Sequence, residues 1–228
     1  MNPIIVESPK PLVLVGGGAG SAQDLQEIRH FSDTFVAADG GAELCLAAGI
    51  MPNATIGDLD SLSAETRARL PSERVHCIEE QNSTDFDKAL RSIHAPLVIG
   101  VGFLGKRIDH QLAALNRLVA RATMSIILLD GEDIVFHCPP ALSLDLRAGA
   151  RVSLFPMAPT QGRSTGLKWP IDGIGMAPAA RVGTSNEATG PVSLAMDAPG
   201  MLVILPRALL SLAVRQLQRA APWPAPEQ

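Results

Sequence analysis

From residue 11 to about 130 the chain alternates short apolar runs with stretches of helical spacing. PLVLVGG (11–17), TFVAAD (34–39), ATIG (54–57), RVHCI (74–78), PLVIGVG (96–102) and SIILLD (125–130) read as strands. Between them, SAQDLQEIRHF (21–31), AELCLAAG (42–49), TDFDKALRSIH (84–94) and IDHQLAALNRLVAR (108–121) place apolar residues at the three-and-four spacing of helices. Ser21 and Thr84 are of the type that caps a helix start, and Gly49 of the type that closes one. Strands that are apolar throughout, separated by helices, predict a parallel sheet covered on both faces, a three-layer α/β arrangement.

After residue 130 the pattern changes. IVFHC, LSLDL, RVSLFPM, PVSLAMD and MLVILP are short, partly alternating runs punctuated by Pro and Gly. They predict antiparallel strands in a sandwich or a barrel. The change of pattern puts a boundary near Cys138, where Pro139 and Pro140 stop strand pairing. The proline-rich end APWPAPEQ (221–228) is expected to be disordered.

In a parallel α/β sheet, ligands bind beyond the carboxyl ends of the strands. The segments that follow the strands are GGGAGS (16–21), ADGGA (38–42), GDLDS (57–61), EEQNSTDFDK (79–88) and GFLGKRIDH (102–110). Each carries Gly or Asp, and most carry both. Asp58 and Asp60 are either the residues of a solvated turn or two carboxylates that hold one hard cation such as Mg²⁺. Asp85 suits a helix N-terminus and equally suits a third metal carboxylate. Asp109 with Arg107 reads as an ion pair and cap, and Arg107 also as a guanidinium clamp on phosphate. GGGAGS departs from the dinucleotide fingerprint. It reads as a tight turn into a helix, with backbone N–H groups open to a phosphate. Trp169, in GLKWP, is either an edge aromatic or a platform for a flat, cationic ring.

The chain has 228 residues, 46% hydrophobic and 18% charged, with a net charge of −4. This globular balance carries no basic footprint for nucleic acid and no basic membrane patch. No run reaches transmembrane length. MNPIIVESPKPLVLVGG lacks the charged start of a signal peptide, so the expected location is cytoplasmic. Cys45, Cys77 and Cys138 stand far apart and predict neither a disulfide framework nor a zinc site.

ADGGAELCLAAGIMPNATIGDLDS, QNSTDFDKAL, GFLGKRIDH, RVSLFP, GLKWPI and GTSNEATGPVSL, in this order and at these spacings, resemble the thiamine pyrophosphokinases over about residues 11 to 205. The resemblance implies an α/β domain (1–138) that binds ATP and Mg²⁺. It implies an antiparallel β-sandwich domain (139–220) that contributes to the thiamine site and the homodimer, ahead of the tail (221–228). It implies transfer of a pyrophosphoryl group from ATP to the thiamine hydroxyl, giving thiamine diphosphate and AMP. By motif, Asp58, Asp60 and Asp85 correspond to metal carboxylates. Gln81, Thr84, Arg107 and Asp109 correspond to nucleotide and metal-shell contacts. Asp39, Gly40 and Gly41 correspond to the floor on the phosphate side. Lys88 or Arg107 would meet phosphate oxygens. Trp169, Ser185 and Asn186 correspond to a thiamine site shared between subunits. Glu80, Leu59 and Gly183 depart from the commoner family residues, and none of them is a proposed ligand. Two rivals use similar residues. A phosphatase of the haloacid dehalogenase type shares DxD but needs a different sequence after it. A nucleotide-sensing module would bind ATP without forming AMP. On this reading, asparagine at 58 or 60 removes a ligand and relieves like-charge repulsion at little cost to the fold.

Overall fold

The computed structural model describes residues 3–225. The chain divides into two compact units, one of residues up to Ala114 with Leu128–Gly131, the other of Leu115–Ile127 with the residues from Glu132 onward. The division thus falls before residue 133, one strand earlier than the expected boundary at 138. The strand in question pairs with a late strand of the second unit.

In the first unit, β1 (Val6–Glu7) is followed by β2 (Leu12–Val15), α1 (Ala22–Ile28), β3 (Phe35–Ala38), α2 (Gly41–Ala47), β4 (Ala54–Gly57), α3 (Ala64–Arg69) and β5 (Val75–Cys77). Then come α4 (Asp85–Arg91), β6 (Ile93–His94), β7 (Val98–Val101), α5 (Ile108–Ala120) and β8 (Ile126–Leu129), α5 starting in this unit and running on into residues of the second, and β8 having only Leu128 and Leu129 in the first. β1 and β6 form a small parallel pair. The main sheet runs β8-β7-β2-β3-β4-β5, and its β7–β2, β2–β3, β3–β4 and β4–β5 pairings are parallel. All four residues of β2, β3, β4 and β7 are buried. That is the burial expected of strands whose two faces are both covered. Ser21 caps α1 with a reciprocal capping box through Asp24, and Thr84 caps α4 by accepting from the Asp87 N–H. Gly49, at φ +70°, follows the last turn of α2, as its sequence position foretold.

The strand order places the site. From β2 the chain steps to β3, β4 and β5 on one side, whereas β7 lies on the other side of β2. The direction of winding therefore reverses at β2. The carboxyl ends of β2, β3 and β7 open there around a crevice, the position at which such sheets bind ligands.

In the second unit, β9 (Asp133–His137), β10 (Ala141–Leu144), β11 (Arg151–Pro156), β12 (Gly162–Leu167), β13 (Gly183–Met196) and β14 (Met201–Pro206) precede α6 (Leu210–Leu217). All pairings are antiparallel, in the order β10-β13-β11-β14-β9, with β12 also on β13. β13 is long enough to serve twice. Its first residues pair with β11 and its later ones with β10 and β12. The sequence pattern missed β12, whose GRSTGL buries only its two ends. It also missed α3, six largely polar residues (AETRAR), and α6. The expectation of a disordered tail is revised for residues up to 225. Trp223 donates its indole N–H to the Cys138 carbonyl at 2.8 Å and stacks 6.5 Å from the His137 ring. Residues 226–228, also in that expectation, lie outside the described residues. Among the described residues no helix is long and apolar enough to cross a membrane.

Candidate active site

At the reversal point the loops after β2 and β7 pack backbone against backbone. Gly18 N–H donates to Gly102 O at 2.7 Å, and Gly16 N–H to Val101 O at 2.8 Å. A Cβ on Gly18 would lie 2.4 Å from Gly102 O, so only glycine allows this approach. The loops border a cavity of about 420 Å³ lined by Gly16–Gly18, Asp39, Gly40, Thr84, Asp85, Phe103 and Arg107, among others.

Asp39 follows β3 with φ +44°, in the left-handed region that aspartate tolerates better than most residues. Its side chain is buried. One carboxylate oxygen accepts from Ser61 N–H at 3.2 Å, and the other, Oδ1, has no hydrogen-bond partner. Burial, with the nearby negative charges of Asp85 and Asp60, raises its pKa above the ordinary carboxylate value although the Ser61 hydrogen bonds oppose the shift. Beyond β4 the chain turns through Leu59 at φ +67°, a strained value for so large a side chain, and this turn brings Asp58 and Asp60 back to one side. Oxygens of Asp39, Asp58 and Asp60 lie within 4.8 Å of one another. Three carboxylates, one of them buried with an unpartnered oxygen, are a donor set that fits a hard divalent cation.

Among the described residues, Asp39 joins Asp58 and Asp60 in this convergent set, and Asp85, expected from the sequence as a metal carboxylate, lines the cavity with Asp39. Asp85 Oδ1 accepts from Asp58 N–H at 3.4 Å and from Lys88 Nζ at 3.0 Å. Lys88, expected among the phosphate contacts, is one of the most buried side chains, at 1% exposure. Its ammonium also donates to Asp58 Oδ2 at 2.8 Å. These bonds outweigh the burial that opposes its charge, so its pKa is raised, and the Lys88 hydrogen bond holds the Asp58 carboxyl below its usual range. The lysine is thus an internal counter-ion for the acidic loop.

Gln81 Nε2 lies 3.5 Å from Asp58 Oδ2, at the limit of a hydrogen bond. Arg107 lines the cavity and binds Asp109 with both Nε, at 3.1 Å, and Nη2, at 2.6 Å. That bidentate contact holds the exposed Asp109 carboxyl down to about 2. Gly41 is not a lining residue. It lets α2 begin against β2, since its Cβ would meet Val15 O at 2.0 Å.

Trp169, Ser185 and Asn186 all lie in the second unit and are brought together there. Asn186 is buried and clamps the Trp169 backbone, accepting from its N–H at 3.2 Å and donating to its O at 2.7 Å. Ser185, at φ +60°, donates its N–H to Ser153 Oγ at 3.0 Å. The Trp169 side chain itself is largely exposed, with Lys168 Nζ 5.0 Å from its ring centre. It is therefore not a core aromatic.

Sequence reasoning missed several lining residues, Lys106, Phe86 and Phe103 among them. Lys106 donates to Gly17 O at 3.0 Å. Phe86 and Phe103 pair with ring centres 4.3 Å apart. They supply the α/β half with the aromatic surface that its sequence had not disclosed. Phe86 lies in the first turn of α4 and Phe103 in the loop after β7, and a single Phe in either place carries no periodic signal for a cavity wall.

Residues 25–128 match the family model described as the thiamin pyrophosphokinase catalytic domain. Thiamine pyrophosphokinase 1 of Oryza sativa subsp. japonica is 27% identical over 154 residues, 59% of this chain and 58% of that protein. This chain thus spans less than two thirds of the length of that curated relative. Thiamine pyrophosphokinase of Bacillus subtilis is 25% identical over 205 residues, 85% of this chain and 96% of that protein. The crystal structure of thiamin pyrophosphokinase from Geobacillus thermodenitrificans superposes with a TM-score of 0.69 at 24% identity, covering 86% of this chain and 96% of that one. Residues 25–128 are thus similar in sequence to the thiamin pyrophosphokinase catalytic domain, and the chain shares the fold of those solved structures.

Proposed function

We propose that the protein is a thiamine diphosphokinase. The attacking atom is the thiamine hydroxyl oxygen. A bond forms from it to the β-phosphorus of ATP, the bond between that phosphorus and the oxygen bridging to the α-phosphate breaks, AMP leaves with the bridging oxygen, and the hydroxyl proton is released to water. The observation that carries the reading is the convergence of Asp39, Asp58 and Asp60 beside a glycine-walled crevice at the reversal of the sheet. Those three residues would hold Mg²⁺, with Asp85 adjoining them. The ion, when bound, supplies positive charge against the polyphosphate. The protein's own share is alignment and charge. Arg107 lines the cavity where phosphates would lie, with the Gly16–Gly18 loop and Thr84 bordering it. Gln81 supports Asp58, and Lys88 keeps the acidic loop compact while no ligand neutralises it.

The finer parts of the reading concern the rest of the molecule. Trp169, with Ser185 and Asn186, recognises the thiamine ring, the exposed indole attracting the cationic thiazolium. The second unit is an antiparallel sandwich, the working form is a homodimer, and the expected location is the cytoplasm. The test is incubation with ATP, Mg²⁺ and thiamine followed by separation of the nucleotides. AMP and thiamine diphosphate are expected in equal amounts. Stoichiometric ADP with thiamine monophosphate would overturn the reading.

A further inference from the structure

Residues 79–83 connect the end of β5 to the cap of α4 without helix or strand. Among the described residues, no backbone–backbone hydrogen bond starts or ends in this segment. It nevertheless presents Gln81 to Asp58 and leads into Thr84 and Asp85 at the cavity. Something else must hold it.

That role falls to Arg91, in the last turn of α4. Its Nη2 donates to Glu80 Oε1 at 2.9 Å and to Ser83 Oγ at 2.8 Å. Ser83 Oγ in turn donates to Glu80 Oε1, closing a triangle. The guanidinium Nε faces Asp87, 3.4 Å from its backbone oxygen and 3.5 Å from Oδ2. The Ser83 hydrogen bond first, and Arg91 after it, hold the Glu80 carboxyl below its ordinary range. One side chain therefore ties both ends of a four-residue stretch, Glu80 to Ser83, to the helix that bears Asp85 and Lys88. Gln81 lies between the two tied residues. Arg91 does not itself line the cavity.

We infer that Arg91, acting through Glu80 and Ser83, is a positioning residue that holds the Gln81–Thr84 segment in place for the Mg²⁺-nucleotide. The inference rests on the nucleotide site proposed above. The guanidinium is needed because one planar fork reaches both the loop and the helix, which a point-charge ammonium cannot do.

The experiment measures binding of a non-hydrolysable ATP analogue with Mg²⁺ by calorimetry, alongside steady-state kinetics, for the wild type, Arg91→Ala, Arg91→Lys, Glu80→Ala and Glu80→Ala/Arg91→Ala. Glu80→Gln is included as a variant that keeps side-chain size. Arg91→Ala and Glu80→Ala are each expected to weaken nucleotide binding and raise KM for Mg·ATP by about tenfold, and KM for thiamine by no more than about twofold. Arg91→Lys should not restore affinity, and the double variant should lose no more than either single one. A merely structural arginine would lower the melting temperature and leave nucleotide affinity untouched in the folded fraction. That result, or losses that multiply in the double variant, overturns the inference. Because binding is read without turnover, a wild type that binds the analogue yet forms no AMP sinks the proposed activity and leaves the clamp to be judged by its variants. A wild type that binds no nucleotide sinks both.

Discussion

At the scale of single residues, Asp58 and Asp60 occupy one turn but unlike surroundings. Asp58 shares the buried Lys88 ammonium with Asp85, whereas Asp60 is exposed and bonds only its neighbours. Removing the Asp58 charge leaves Lys88 with one carboxylate in a site of 1% exposure. An ion short of a partner in the interior is destabilising. Asp58→Asn should therefore lower stability by about 1 kcal/mol or more, against the expectation from sequence that relief of repulsion would offset the loss. Asp60→Asn should leave stability within about 0.5 kcal/mol, as surface changes usually do. Both should abolish Mg²⁺-dependent turnover. Melting curves and activity at limiting Mg²⁺ check the pair. Equal melting temperatures would mean that Lys88 is not the counter-ion described. Asp39 was visible in the sequence only as part of the phosphate-side floor. Its place among the carboxylates depends on the bend after β3 meeting the turn after β4, which no local pattern encodes.

At the scale of elements, the register of helices on the sheet depends on a few glycines where backbones nearly touch. Gly41 is the tightest within the first unit, its Cβ position falling 2.0 Å from Val15 O. A methyl there must push α2 off β2, and backbone cannot yield as a flexible side chain can. Gly41→Ala should cost about 3 kcal/mol or more, at the upper end of overpacking. Gly17, in the neighbouring loop, has its closest neighbour at 3.6 Å, and Gly17→Ala should fold with near-native stability. Denaturant midpoints distinguish the two. The caps at Ser21 and Thr84 and the closing Gly49 were legible beforehand because capping is a matter of adjacent residues. α3 and β12 were not. A short polar helix and a strand buried only at its ends show too little periodicity.

At the scale of the whole molecule, the carboxyl-terminal segment is tied back by Trp223 onto β9, over a histidine held neutral. Burial pushes the His137 imidazole down to about 4, and its Nε2 accepts the Gly200 N–H at 2.9 Å. An unfolded histidine titrates near 6.5. Between these values the unfolded chain binds the proton and the folded chain does not, so stability rises with pH across that window. On acidification, stability should fall from about pH 6.5 and level off near pH 4, losing up to about 3 kcal/mol. His137→Gln should flatten that slope, whereas losses through Asp58 and Glu80, whose pKa values are lowered, belong to lower pH. Unfolding free energies measured from pH 7 to 4 test this. An unchanged slope in the variant would assign the acid sensitivity to other groups.

The alternation of apolar strands and helices, the glycines and aspartates on one edge of the sheet and the change of pattern after residue 130 were all readable along the chain. Each reflects burial or turn chemistry decided within a few residues. The strand order is another matter. It makes β2 the point of reversal and so selects which of five Gly- and Asp-rich loops meet. That meeting puts the Asp39 oxygens beside Asp58 and Asp60, sinks Lys88 beneath them and ties the Glu80–Ser83 stretch to Arg91. Side chains distant in sequence acquire partners only when the sheet brings their loops to one edge. Their charges and hydrogen bonds are therefore properties of the tertiary structure, while the elements that carry them are properties of the sequence.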